Sequence, residues 1–335
     1  MDDLEHARRL IAELGESFCL TFVKDAGPGE ALARMGGCPD TLRERGPGEL
    51  SGPATAAAVP LGAWTVVIEP GGGLGADHAL LETASRGSAA VSVLRGEQST
   101  AHFGYAVDGT TVAGFDPGYP TEETIWGADP GMLRHLMDAL GLRPPSDDTE
   151  TTWQDAEARA IVLAQRITGV RVPEAPLGAA RLSARLEPWF VTPARPGDLL
   201  RAGRRAPHAA DLVAAAEAAA PGVQRAVAVA EVRRQAAALG VADAPGLTEA
   251  LDAAATGAGT GVAADSPLGL RVRDWLAAPG DDGLGWFVMS LRGVLGADPR
   301  VAVLAALRPL ATGPAALADD AARESALRDL RGQDR

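Results

Sequence analysis

Hydrophobic positions in the first half of the chain alternate between two periods. Over residues 3–14, Leu4, Leu10, Ile11 and Leu14 recur at helical spacing and the run stops at Gly15, a natural C-cap. Residues 17–24 switch to period two, with Phe18, Leu20 and Phe22 on one face and Cys19, Thr21 and Val23 on the other, which predicts a strand. Asp25 is placed to cap a short helix entered at Pro28 and ended by Gly36-Gly37. Residues 37–61, rich in Gly, Pro and Ala, read as an exposed loop. A second strand over 63–69 runs into Pro70-Gly-Gly-Gly-Leu-Gly75, and Asp77 then caps a helix whose Leu80, Leu81 and Ala84 share a face. Residues 89–94 form a further strand. Residues 101–107 and 110–115 flank Asp108-Gly109, the two-residue signal of a type I′ hairpin, so this part of the sheet is expected to be antiparallel. Asp129-Pro130 opens a helix with Leu133, Leu136, Met137 and Leu140 inward and Gly141 past its end, and another helix runs near 152–168.

The second half lacks comparable strand patterns. Residues 207–255 hold 20 alanines in 49 positions, and alanine has the best helix propensity while burying little area, so closely packed short helices follow. Pro221-Gly222, Gly240 and Pro245-Gly246 divide them, and Ser266-Pro267 and Asp298-Pro299 open two more. The fold class expected is an α+β N-terminal domain, mostly antiparallel sheet with flanking helices, followed by an all-α C-terminal domain of five to seven helices. Between the two, residues 173–206 are rich in proline and carry six arginines against three acids up to Pro207, which reads as a linker or strap. Trp189-Phe190-Val191 within it are expected to dock on a domain. The domains are thus 1–172, the strap 173–206, and 207–335.

Charge sharpens this division. The 335 residues carry a net charge of -13, and residues 1–172 hold 25 acids and 13 bases, a net of -12. Such a surface repels phosphate backbones and anionic lipid, which argues against nucleic-acid and membrane partners. No apolar run reaches the ~18 residues of a spanning helix, and the start Met1-Asp2-Asp3-Leu4-Glu5 is acidic where a signal peptide is basic, so a cytoplasmic location is expected. The chain has one lysine, Lys24, and no asparagine, a bias that makes Arg, Gly and Ala less informative than usual. Arg195, Arg201, Arg204 and Arg205 form the one basic cluster, expected to be solvated or self-docked.

Four blocks carry a resemblance. Glu16-Ser-Phe-Cys-Leu-Thr-Phe-Val-Lys24, Gly29-Glu-Ala-Leu-Ala-Arg-Met-Gly36 and Gly62-Ala-Trp-Thr-Val-Val-Ile-Glu69 look like an actinobacterial domain of unknown function, as does Leu163-Ala-Gln-Arg-Ile-Thr-Gly-Val170. The likeness covers roughly residues 10–172 and implies no assigned activity. Members of that family tend to carry Asn-Gly after the Glu of the Trp strand, where this chain has Gly71-Gly72-Gly73.

Few residues suggest chemistry. Gly71-x-Gly73-x-x-Ala76 lies between a strand and a helix, with Glu97 about 21 residues further on, a pattern that suits a pyrophosphate at a helix N-terminus and an acid on the ribose. Against it, Asp77 places a carboxylate where the pyrophosphate would sit, and the neighbouring strands look antiparallel; a plain turn fits as well. Glu69 and Asp116 would meet at one sheet edge with Tyr119 if strands 63–69 and 110–115 adjoin, forming a ligand-facing rim; otherwise they cap turns. G-x-S-x-G, S-x-x-K and H-E-x-x-H patterns are missing. Cys19 reads as a buried strand residue and Cys38 as an exposed loop residue, and His6, His78, His102, His135 and His208 lack metal-ligand spacing. No cofactor or metal is expected. Together these point to a non-catalytic protein-binding or regulatory module, in one version an immunity-type protein with a basic partner. A nucleotide-binding enzyme or sensor, and a scaffold assembled through the alanine-rich helices, are the alternatives.

Overall fold

The structure, a computed structural model, describes residues 3–52, 54–96, 101–142, 155–202, 207–257, 259, 261–278 and 282–332, without the side chains of Pro207, His208 and Asp282. The chain divides into two compact units, Met1–Thr192 and Pro193–Arg335.

The first unit contains the strands β1 Phe18–Lys24, β2 Arg43–Arg45, β3 Thr55–Leu61, β4 Trp64–Pro70, β5 Ala89–Arg95, β6 His102–Val107, β7 Thr110–Phe115 and β8 Arg181–Arg185. Its helices are α1 Asp3–Leu14, α2 Pro28–Arg34, α3 His78–Ser85, α4 Arg134–Leu140 and α5 Ala156–Thr168. The strands make one sheet in the order β2-β8-β3-β4-β1-β5-β6-β7, with all these pairings antiparallel. Period two sorts the side chains as expected. Phe18, Leu20, Phe22, Val66, Ile68, Val91 and Val93 pack with α1, α4 and α5 on one face, while Val23, Val67, Ala90 and Ala106 pack with α2 and α3 on the other. Each such large apolar side chain, fully buried, contributes about 1.5–3 kcal/mol, so both faces are held firmly. Asp108 (φ 47°) and Gly109 (φ 77°) form the predicted positive-φ turn between β6 and β7.

Four expectations are corrected. Residues 37–61 hold β2 and β3 rather than only a loop, and Ala56, Ala57 and Ala58 are buried. Alanine is small enough to bury on either face, so a run of it hides the period-two signal. Cys38, expected in an exposed loop, is buried. Gly27, not Asp25, holds the N-cap of α2, and Asp25 takes a left-handed φ of 51°. The helix expected from Asp129 begins only at Arg134, because Asp129 donates its amide to Val112 O (2.9 Å) at the edge of β7.

Within the proline-rich segment, Arg181–Arg185 forms β8 between β2 and β3, and the first compact unit continues to Thr192. Proline favours extended backbone, and here part of that extended chain is a strand. Trp189 is buried in this unit and Val191 packs on the α2/α3 face, as docking required.

The second unit comprises, among the described residues, α6 Pro207–Ala218, α7 Pro221–Ala238, α8 Leu247–Ala255, α9 Pro267–Ala277, α10 Asp282–Leu295, α11 Pro299–Thr312 and α12 Asp320–Arg331. Ser266 and Asp298 cap α9 and α11 with their side-chain oxygens, as their positions before proline imply. Arg225 of α7 is buried and donates to the carbonyls of Val294 (2.9 Å), Gly296 (2.8 Å) and Ala297 (2.5 Å), satisfying the C-terminal end of α10. Among the described residues no helix is long and apolar enough to cross a membrane.

Candidate functional site

The strand registers assemble a polar row on the α2/α3 face. Cys19 lies opposite Glu69 on β4 and Leu94 on β5, and Leu94 lies opposite His102 on β6. The adjacent row carries Thr21, Ser92, Gly104 and Gly114 across β1, β5, β6 and β7. These rows are covered at one end by the glycine turn 71–76 and at the other by Trp126.

The glycine turn closes upon the protein itself. Glu69 is buried, and its carboxylate accepts from Leu74 N (2.9 Å) and Gly75 N (2.7 Å). Gly71 N donates to Ser17 O, Gly72 N to Glu69 O, Ala76 N to Gly73 O and Asp77 N to Leu74 O. Asp77 then accepts from Leu80 N (3.2 Å) at the start of α3. The amides of Gly71, Gly72, Leu74, Gly75, Ala76, Asp77 and Leu80, donors of the kind that cradle a phosphate, are thus taken by two carboxylates and by main-chain carbonyls. Gly75 has a packing reason: a Cβ there would fall upon Thr21 Oγ1 and lie 3.0 Å from Glu69 Oε1 and 3.2 Å from Cys19 Sγ. Gly73 sits against Leu94, where a Cβ would approach Cδ1 to 3.0 Å. Burial raises the Glu69 carboxyl above the ordinary glutamate range, the two amide bonds opposing it, and burial likewise raises the Cys19 thiol. Glu97 lies outside the described residues.

Glu69 and Asp116 do not share an edge. Strands β1, β5 and β6 separate β4 from β7, four strand spacings or about 19 Å. Asp116 closes its own turn, accepting from Gly118 N (2.8 Å), and its carbonyl accepts from Tyr119 N (3.0 Å). Tyr119 points outward and is 46% exposed.

The edge strand β7 is paired by a return of the chain. Gly114 and Trp126 exchange two backbone hydrogen bonds (2.8 and 2.9 Å), and Ala128 and Asp129 donate to Thr111 O and Val112 O. This lays the Trp126 indole over Gly114, where a Cβ would come within 2.6 Å of ring atoms Cε2 and Cζ2. His102 stacks on the indole (6.1 Å between centroids, 26°), and His78 of α3 meets it edge-on (6.0 Å, 83°). Burial lowers the His102 imidazole below its ordinary range, with His78 acting the same way and Asp116 against it. The outward side of this stretch is unusual. Of the five large apolar side chains exposed among the described residues, Tyr119, Trp126 and Met132 (46, 40 and 47%) lie within 116–133. That stretch holds four acids, Asp116, Glu122, Glu123 and Asp129, and no base. Beside it, Ile125, Met137 and Leu142 line a groove of about 160 Å³ with Glu122 and Asp138 at its rim.

Sequence reasoning passed over Trp126, Met132 and this groove. The available signal was the placement of Tyr119, Trp126 and Met132 outside any periodic run and among acids only. His78 and His102, taken as background, become neighbours through the fold. Among the described residues no group of three or more His, Cys, Asp and Glu could hold a metal ion. Arg204 and Arg205 lie outside the described residues. No curated protein and no solved structure matches the chain. Residues 2–188, more than half of its length, match a family of unknown function (DUF6461), and the chain belongs to that family.

Proposed function

We propose that the chain is a protein-binding, regulatory module whose first unit engages a basic partner through the surface of residues 116–133. One observation carries this: Tyr119, Trp126 and Met132 are exposed on a stretch with four acids and no base. Aromatic residues and methionine are enriched at the cores of interfaces, and acids around them speed encounter with a cationic surface and reject anionic ones. The net charge of -12 over residues 1–172 supplies a long-range field of the same sign. An immunity-type protein that neutralises a basic effector is the specific form of this reading. The closed glycine turn favours it over a nucleotide site, since Glu69 and Asp77 already accept from the Leu74, Gly75 and Leu80 amides.

The test is retention of host proteins on the tagged full-length chain, compared with Trp126→Ala/Met132→Ala and with Glu122→Lys/Glu123→Lys. A near-stoichiometric basic protein held by the parent, released as salt rises and lost on both variants, is the expected result. Equal retention by both variants overturns the reading.

A further inference from the structure

The groove beside this surface has a size that restricts what it accepts. Its volume of about 160 Å³ falls below the ~300–1,000 Å³ of pockets that enclose drug-sized ligands, and matches an apolar cavity of ~150 Å³ that holds one benzene. One side chain of that bulk fills it. Its apolar lining comes from Ile125, Met137 and Leu142, of which Met137 and Leu142 are 4% exposed and so fixed in the core beneath. Its rim carries Glu122 and Asp138, with Arg134. Arg134 lies 3.3 Å from Glu122, both side chains being more than half exposed, and such a pair contributes only about 0–1 kcal/mol. An incoming cation can therefore take its place. Over residues 116–138 the chain has five acids and, Arg134 and His135 apart, no basic group.

Resting on the protein-binding reading above, the geometry points to this groove as the anchor pocket for a single phenylalanine or leucine of the partner, presented by a segment with lysine or arginine flanking it. The apolar side chain enters between Ile125, Met137 and Leu142, and a flanking cation meets Glu122 in place of Arg134. Tyr119, Trp126 and Met132 then cover the rest of the segment. A small apolar ligand lacks the cations, and a second copy of this acidic chain meets like charge.

The experiment is selection of a displayed random 12-residue peptide library on the full-length protein, with binding of the enriched peptides measured by fluorescence anisotropy. The expected peptides carry one Phe or Leu with Lys or Arg within three residues. Their affinity falls at least tenfold on Met137→Arg, which fills the groove, and on Glu122→Lys/Pro130→Arg, placed at exposed positions so that folding is retained. Replacing the peptide's Phe or Leu by Ala costs the same. Enrichment of acidic or uncharged peptides, or unchanged affinity on Glu122→Lys/Pro130→Arg, overturns the anchor pocket. Peptides lost on Trp126→Ala but kept by the groove variants overturn it while leaving the protein-binding reading in place.

Discussion

Gly114→Ala tests the packing that holds Trp126 over the sheet. The added Cβ would stand 2.6 Å from Cε2 and Cζ2 and 3.1 Å from Cη2 of the indole. Carbon contacts settle near 3.5–4.0 Å, so the shortfall is about 1 Å over two rigid ring atoms. The ring is stacked on His102, and the backbone at Trp126 is tied to Gly114 by two hydrogen bonds. Overpacking of this kind costs about 1–3 kcal/mol. In a Trp126→Ala background the clash has no partner, and the same substitution is neutral or gains up to about 1 kcal/mol from the lost freedom of glycine. The coupling between the two substitutions is therefore about 1–3 kcal/mol or more. Native-state hydrogen exchange of β1 and β5 amides in the intact chain reads the stability of the first unit without interference from the second. An equal cost of Gly114→Ala in both backgrounds refutes the contact.

Two pH dependences of opposite sign follow from the same sheet face. The folded state keeps a proton on Glu69 that the unfolded state has released, so stability falls as pH rises from the ordinary glutamate range (~4.3) to the raised value, and Glu69→Gln removes this slope in denaturation measured against pH. The folded state releases a proton from His102 that the unfolded state keeps, so stability falls as pH drops below about 6.5 toward the lowered value, and His102→Gln flattens that slope. Gly75→Ala, forced upon Thr21 and the Glu69 carboxylate, costs about 1–3 kcal/mol in the same exchange measurement. Arg225→Met leaves three carbonyls at the end of α10 without their donor and destabilises the second unit by about 2–5 kcal/mol, read by exchange of α7 and α10 amides.

What was legible in the sequence had a local cause. Alternation in β1, the Asp108-Gly109 turn, and the caps at Asp77, Ser266 and Asp298 depend on neighbours within a few residues, and each stands in the structure. The alanine run of β3 and the short β8, Arg181-Leu-Ser-Ala-Arg185 within the proline-rich segment, acquire strand geometry from partners far along the chain, so no local period announces them. The Glu69–Asp116 rim failed for the same reason, because adjacency depends on strand order. The glycine motif matched a ligand loop in spacing alone, and only the position of the Glu69 carboxylate identifies what those amides bind.

The two sheet edges are protected by different means, and the difference bears on function. At one edge β2 is three residues long and reads Arg43-Glu44-Arg45, short and charged enough to discourage pairing with another chain. At the other, β7 has six residues and is covered by the backbone of 126–129. That cover needs only main-chain donors and acceptors and a turn that permits Gly127 its φ of 129°. It does not require Tyr119 or Met132 to stand in solvent, and a polar side chain at either position would leave every one of these hydrogen bonds intact. Exposed apolar area adds nothing to the folded state's stability and adds a liability to aggregation. Its concentration here, among four acids, is therefore not demanded by closing the sheet, and it is this surplus that the proposed partner contact would use.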